Sequence, residues 1–533
     1  MHGLNKLIFK MANSLSLNTL PAIALLLATI LFLIHGTESI QSAKRSDFPK
    51  DFLFGAATSA VQIEGASSSD GKGPSIWDYY QGNKKVLVLD GSNMFTAIDS
   101  YNRYWEDLEH LKNLGGNGHR FSISWSRILP KGSLSGGVNQ KAVDHYNYFI
   151  NRLLEYGITP LVTLYHFDIP EALQDKYGGF LSNSIVNDFK DYAEVCFQKF
   201  GDRVKHWITI NEPLVVTQLG YDIGLSPPLR CSDRKMCAAG DSAKEPYIVT
   251  HNLLLSHTAA ARLYKDKYQA TQKGEIGITL VGQYYEPSSQ SAEDIAAQQR
   301  ALDFNLGWFV CPLVYGDYPD SMKQIVKGRL PYFSDQEKML VKGAYDFIGI
   351  NYYTSLYTKN IPVDLNAAPV SYSRDQFVNT SVRSSTGALI GPRAEGFADL
   401  YVYPQGLQGV LEYLKNRYKN PKIIITENGV TEKRDDNRPL AQALNDQHRI
   451  SYIQQHLDHV HYAIQNGVNV KGYFYWSAFD SFEWYGGYTT RYGFYYIDYK
   501  QNLKRIPKAS VAWFQHFMNG SSAQQCKAKT GGH

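Results

Sequence analysis

Residues 207–213 read WITINEP and residues 422–429 read KIIITENG. In each, a short apolar run rich in β-branched residues breaks off at an adjacent Asn and Glu. Runs of four to eight such residues, bounded by polar punctuation, read as strands buried on both faces. With 207–211 and 422–426 as two strands, six more runs of the same kind fall at 54–60, 118–125, 160–166, 275–281, 347–353 and 470–476. Longer stretches with helical spacing, such as 143–156 and 185–200, separate them. Eight repeats of strand then helix predict an α/β fold with parallel strands, closed as a single (β/α)8 TIM barrel. The barrel is expected over 46–520, with a last helix near 509–518 and no linker or charge break inside it.

Bulk composition agrees with a large folded core. Of 533 residues, 44% are hydrophobic, and the net charge is only +4 with no basic run, so no nucleic-acid partner is expected. The 38 Tyr and 8 Trp suit a site that stacks on sugar C–H faces, although most must be ordinary core. Histidines do not cluster at ligand spacing, so no metal and no cofactor is expected.

Lys6 and Lys10 precede an apolar run at 20–34, followed by small and polar residues at 36–42. That pattern reads as a signal peptide over about residues 1–40, with the mature start between Thr37 and Arg45. The run falls short of the roughly 20 residues that span a bilayer, so no stable membrane insertion is expected. Entry to the secretory pathway (vacuole, apoplast or endoplasmic reticulum lumen) makes two further signals legible. Cys231 and Cys237 bracket the polar loop CSDRKMC, which a disulfide would close, while Cys196 and Cys311 read as free thiols. Asn379 and Asn519 open Asn-x-Ser/Thr sequons and are candidate glycosylation sites. Cys526 lies in a polar tail at 521–533, whose ending KTGGH does not read as a KDEL-like retention signal. Composition leaves the oligomeric state open, a homo-oligomer included.

Nearly every strand-like run ends on a polar or aromatic residue: Gln62, Trp125, His166, Asn211 with Glu212, Tyr285, Asn351 with Tyr353, Glu427 with Asn428, and Trp476. In a (β/α)8 barrel these ends share one mouth, where catalysis occurs. Any one of them reads equally well as a cap or a satisfied core group. Together they read as a site. A Glu at the end of a buried strand is costly without a task. Two facing one mouth are the minimum for glycoside hydrolysis, one protonating the leaving oxygen and the other attacking the anomeric carbon or activating water.

The chain resembles glycoside hydrolase family 1, and within it the plant β-glucosidases. The resemblance runs in order from FPKDFLFGAATSAVQIEGA at Phe48, through RFSISWSRILP, TLYHFDIPEAL, ITINEP, YDFIGINYYTS, IIITENGV and WSAFDSFEW, to GYTTRYGFYYIDY ending at Tyr499. It implies a retaining β-glucosidase acting on small plant-metabolite glucosides, with Glu212 as acid/base and Glu427 as nucleophile. It further implies that Arg120 and Tyr353 flank Glu427. Asn211 would take the sugar 2-hydroxyl, and Gln62, His166, Trp476, Glu483, Trp484 and Tyr492 would complete the sugar pocket. Asp399 stands where many plant relatives have a Trp beside the leaving group, and Ser481 where an Asn is usual. Three other readings keep the same scaffold: a transglucosidase sharing the glucosyl-enzyme, a thioglucosidase, and a catalytically silent sugar-binding protein. The retained Glu at 212 and the paired carboxylates argue against the last two.

Overall fold

The computed structural model describes residues 42–83, 88–396 and 399–520. The barrel strands are β1 (Leu53–Ala57), β2 (Gly118–Ser122), β3 (Thr159–Tyr165), β4 (His206–Asn211), β5 (Glu275–Val281), β6 (Phe347–Tyr352), β7 (Ile423–Asn428) and β8 (Val470–Trp476). Each pairs in parallel with its neighbours in sequence, and β8 pairs with β1, so the sheet closes. The main crossover helices are α1 (Ser100–Leu114), α2 (Gln140–Glu155), α3 (Ile185–Phe200), α4 (Glu245–Leu263), α5 (Ala292–Leu302), α6 (Pro404–Arg417) and α7 (Gln447–Gln465), with α8 (Ala509–Met518) after β8. The described residues from Lys44 onward form one compact unit.

The helices lie where their apolar spacing can be covered. On α3 the buried residues include Ile185, Phe189, Tyr192, Cys196, Phe197 and Phe200, a stripe of threes and fours along one face. Burying each large apolar side chain stabilises the fold by about 1.5–3 kcal/mol. Inside the barrel, Ala57, Leu161, Ile208, Phe347, Ile424 and Phe474 pack into one cluster that includes Trp476. Strands β1 and β2 meet at Gly55 and Gly118 in register. A Cβ on Gly55 would lie 1.8 Å from the Gly118 carbonyl oxygen, so no other residue fits there.

Pairing slips out of step between Ile208 and Asn211 on β4 and between Ile425 and Glu427 on β7. Such bulges re-aim side chains and are common beside active sites. Here they fall at the two strand ends that carry the carboxylates.

Two strand-end residues do not face the mouth. Trp125 opens a short helix (Trp125–Ile128) and stacks on Tyr192 at 5.0 Å, fully buried. Tyr285 sits in a separate three-stranded sheet beyond β5, packed against Ala301 and Leu302. Gln62 is carried by the short helix Ala60–Ile63, because β1 already ends at Ala57.

Cys231 and Cys237 form a disulfide, and Cys196 and Cys311 are free thiols. No described helix is long and apolar enough to cross a membrane. The leader (1–40), Cys526 and the tail (521–533) lie outside the described residues.

Candidate active site

Glu427, the penultimate residue of β7, is almost wholly buried, where a bare carboxylate would be expensive. Two groups compensate it. The fully buried Arg120 of β2 forms an ion pair with Oε1. The Tyr353 hydroxyl donates to Oε2 at 2.5 Å. Burial raises the Glu427 carboxyl, and Arg120 and Tyr353 pull it back toward the ionised form. Arg120 also donates to Thr163 Oγ1 at 3.0 Å and to Asn211 Oδ1 at 2.7 Å, which fixes the guanidinium.

Glu212 follows β4 and precedes the helix Pro213–Thr217, at φ +42°, in the left-handed region. Asn351 Nδ2 donates to its Oε1 at 3.0 Å. Among the described residues no cation pairs directly with this carboxyl. Burial first, and then the charge of Glu427, push it up to about 8. One carboxyl therefore holds its proton at neutral pH beside another that is compensated by an arginine. That is the arrangement a general acid and a nucleophile need.

The sugar-binding candidates surround this pair. The rings of His166 and Trp476 stack at 5.9 Å, and those of His166 and Trp484 at 6.0 Å. Burial and the Arg120 charge hold His166 well below the usual imidazole range, so it is neutral. The Asn211 amide lies 3.2 Å from His166 Nε2. Gln62 Nε2 donates to the Phe482 carbonyl at 2.7 Å and to Glu483 Oε2 at 3.3 Å, while Ser59 Oγ donates to Gln62 Oε1 at 2.6 Å. Ser481 Oγ donates to Glu483 Oε1 at 2.9 Å. Burial lifts the Glu483 carboxyl well above its usual range. Tyr492 meets Tyr353 edge-on at 5.9 Å.

A cavity of about 300 Å³ opens beside these residues and shares Glu483, Trp484 and Tyr492 with them. Its further walls come from the β3 exit (Phe167, Ile169), the turns after Glu212 (Val215, Val216, Leu219) and the segment Leu225–Pro228. Asp399 is not among the lining residues; it is exposed and pairs with Arg393 at 2.9 Å.

A family model, "Glycosyl hydrolase family 1", matches residues 44–522. The chain belongs to this family. Among curated family 1 relatives, the furostanol glycoside 26-O-beta-glucosidase of Hellenia speciosa is 52% identical over 474 residues, covering 89% of this chain and 83% of that protein. Beta-glucosidase 24 of Oryza sativa subsp. japonica is 51% identical, covering 89% and 94%. A rice β-glucosidase mutant, solved in a covalent complex with glucose, superposes with a TM-score of 0.87 at 45% identity, covering 89% of this chain and 99% of that one.

Asn351 stands among the strand-end residues of the sequence pattern, where it carries no assigned role. Its Nδ2 bridges Glu212 Oε1 and Asn211 Oδ1 (3.1 Å), while its Oδ1 accepts from Thr426 Oγ1 at 2.7 Å. The signal was an Asn closing the apolar run FIGIN, whose importance depends on Asn351 lying in register with Glu427. The apolar cavity wall was also missed, since Val215, Val216 and Leu219 look like any other helix residues.

Proposed function

We propose that Glu212 and Glu427 act as acid/base and nucleophile of a double displacement on β-D-glucosides. The chain is a retaining β-glucosidase, and its substrates are glucosides of small aglycones. The observation that carries the assignment of roles is the asymmetry between the two carboxyls. Glu212, without a cation, holds a proton up to about pH 8, whereas Glu427 is gripped by Arg120 and Tyr353. Glu212 protonates the glycosidic oxygen as Glu427 attacks the anomeric carbon, forming a glucosyl ester and releasing the aglycone. Esterification removes the Glu427 charge, which had added to burial in raising Glu212. Glu212, now ionised, takes a proton from water as that water attacks, returning the β-anomer.

Gln62, His166, Asn211, Glu483 and Trp484 supply the polar and stacking partners of the sugar, with Trp476 beneath and Tyr492 at the side. The apolar cavity favours a second reading, transfer of the glucosyl group to an alcohol instead of water, through the same ester. The signal-like leader and the Cys231–Cys237 bridge support passage through the secretory pathway. Asn379 and Asn519 are both exposed and so open to glycosylation.

Proton NMR of an aryl β-glucoside digest tests the reading. β-Glucose is expected first, and α-glucose first would overturn the double displacement. Alkyl glucoside formed when an alcohol is added, at the expense of glucose, would favour the transfer reading.

A further inference from the structure

The cavity beside the sugar site is walled mainly by apolar side chains. Val215, Val216 and Leu219 lie three, four and seven residues beyond Glu212, on the short helix that follows that residue and the helical turn Gln218–Asp222 after it. The oxygen that Glu212 protonates joins the sugar to its aglycone, so the aglycone must occupy the space these side chains face. Continuity with Glu483, Trp484 and Tyr492 makes the same point from the sugar side. Among the described residues lining this space, none is Lys, Arg, His, Asp, Asn or Gln, and the single carboxylate is Glu483, already committed to the sugar. The other polar side-chain groups are the hydroxyls of Ser226, Thr431, Thr490 and four tyrosines and the indole N–H groups of Trp77 and Trp484, set among aliphatic and aromatic carbon. A volume of about 300 Å³ is enough for a small ring system or an alkyl chain, at the lower end of the usual range for small-molecule sites.

We infer that the enzyme selects apolar, oxygen-poor aglycones and discriminates against a second sugar as leaving group. The inference rests on the β-glucosidase reading and goes further by naming the substrate class. A glucose unit placed in this cavity would bring hydroxyls that exchange water for aliphatic and aromatic walls. Sites reject groups whose hydrogen bonds go unmade far more strongly than they reject a change of apolar size. Two stranded hydroxyls correspond to a discrimination of about 100-fold, or about 2.8 kcal/mol.

The test compares kcat/KM on three substrates of the full mature protein: 4-nitrophenyl β-D-glucoside, octyl β-D-glucoside and cellobiose. Octanol is the poorer leaving group chemically, so any preference for the octyl glucoside reports binding. Octyl glucoside is expected to exceed cellobiose by at least about 100-fold. Hydrolysis of the aryl glucoside with cellobiose equal to or better than octyl glucoside would overturn the inference and leave the glucosidase reading standing. No hydrolysis of the aryl glucoside would overturn both. Val216→Asn and Leu219→Asn locate the preference. Both positions are only half-buried, so the fold should tolerate them. The octyl-to-cellobiose ratio is expected to fall about tenfold or more in each. A ratio unmoved in both variants would overturn the assignment of this wall.

Discussion

Tyr353→Phe removes one oxygen and little else. The ring stays packed against the barrel cluster and edge-on to Tyr492, so the fold should persist. What disappears is the 2.5 Å hydrogen bond to Glu427 Oε2, a bond that favours the ionised carboxylate. Hydrogen bonds to charged groups contribute about 1.5–3 kcal/mol. That corresponds to a factor of about 10 to 150 in the balance between charged and neutral Glu427. Losing the bond raises the Glu427 carboxyl, so the acid limb of kcat/KM moves upward in pH. On the acid side kcat/KM should fall by about 10- to 150-fold. The alkaline limb, which the proposed mechanism assigns to Glu212, should hardly move. The assay is a full pH profile of kcat/KM on 4-nitrophenyl β-D-glucoside, with thermal unfolding as a check on the fold. A uniform loss at every pH, with the acid limb in place, would refute the reasoning and reduce Tyr353 to packing.

Other expectations follow from the same geometry. In the wild type, hydrolysis of glucosides with poor leaving groups should decline as pH rises through about 8, where Glu212 loses its proton. Glu212→Gln should cost such substrates about 10²–10⁴-fold, the usual range for a general acid, and spare activated aryl glucosides the first step; equal losses on both would rule out Glu212 as the acid. Glu427→Gln should abolish turnover with the circular dichroism spectrum preserved, and full residual activity would end the nucleophile assignment. Asp168, buried behind His166 and accepting from the His166 and Trp125 backbone at 3.2 Å each, is raised to about 6 by burial. Between about pH 4 and 6 the folded protein keeps a proton there that the unfolded chain has released, so this group's contribution to stability falls as pH rises through that window. Asp168→Asn should flatten the dependence of Tm on pH in that range, and an unchanged slope would discount it.

The barrel was legible because eight buried strands leave eight apolar runs too short to be helices, with amphipathic helices between them. The carboxylates were legible for a related reason: Glu at the end of such a run, in TINEP and ITENG, contradicts its surroundings. What sequence could not give was direction after the strand ended. Trp125 closes its run just as Glu427 nearly does, but the chain turns into a helix and the indole goes to Tyr192. Tyr285 fails likewise, lying beyond β5 in another sheet. Asn351 needed the register of β6 against β7 before its bridge could be seen. The aglycone wall carried no signal at all, because apolar residues facing a ligand and apolar residues facing a core are the same residues.

Glu212 holds its post in a backbone conformation that L-residues with side chains rarely adopt, at φ +42°. A non-glycine residue so placed carries about 1–3 kcal/mol of strain. Glycine would relax it, and the buried carboxyl would go with the strain. Selection for heat resistance alone would therefore favour replacing Glu212, and a stability-driven redesign left unsupervised would discard a carboxyl that the proposed mechanism needs.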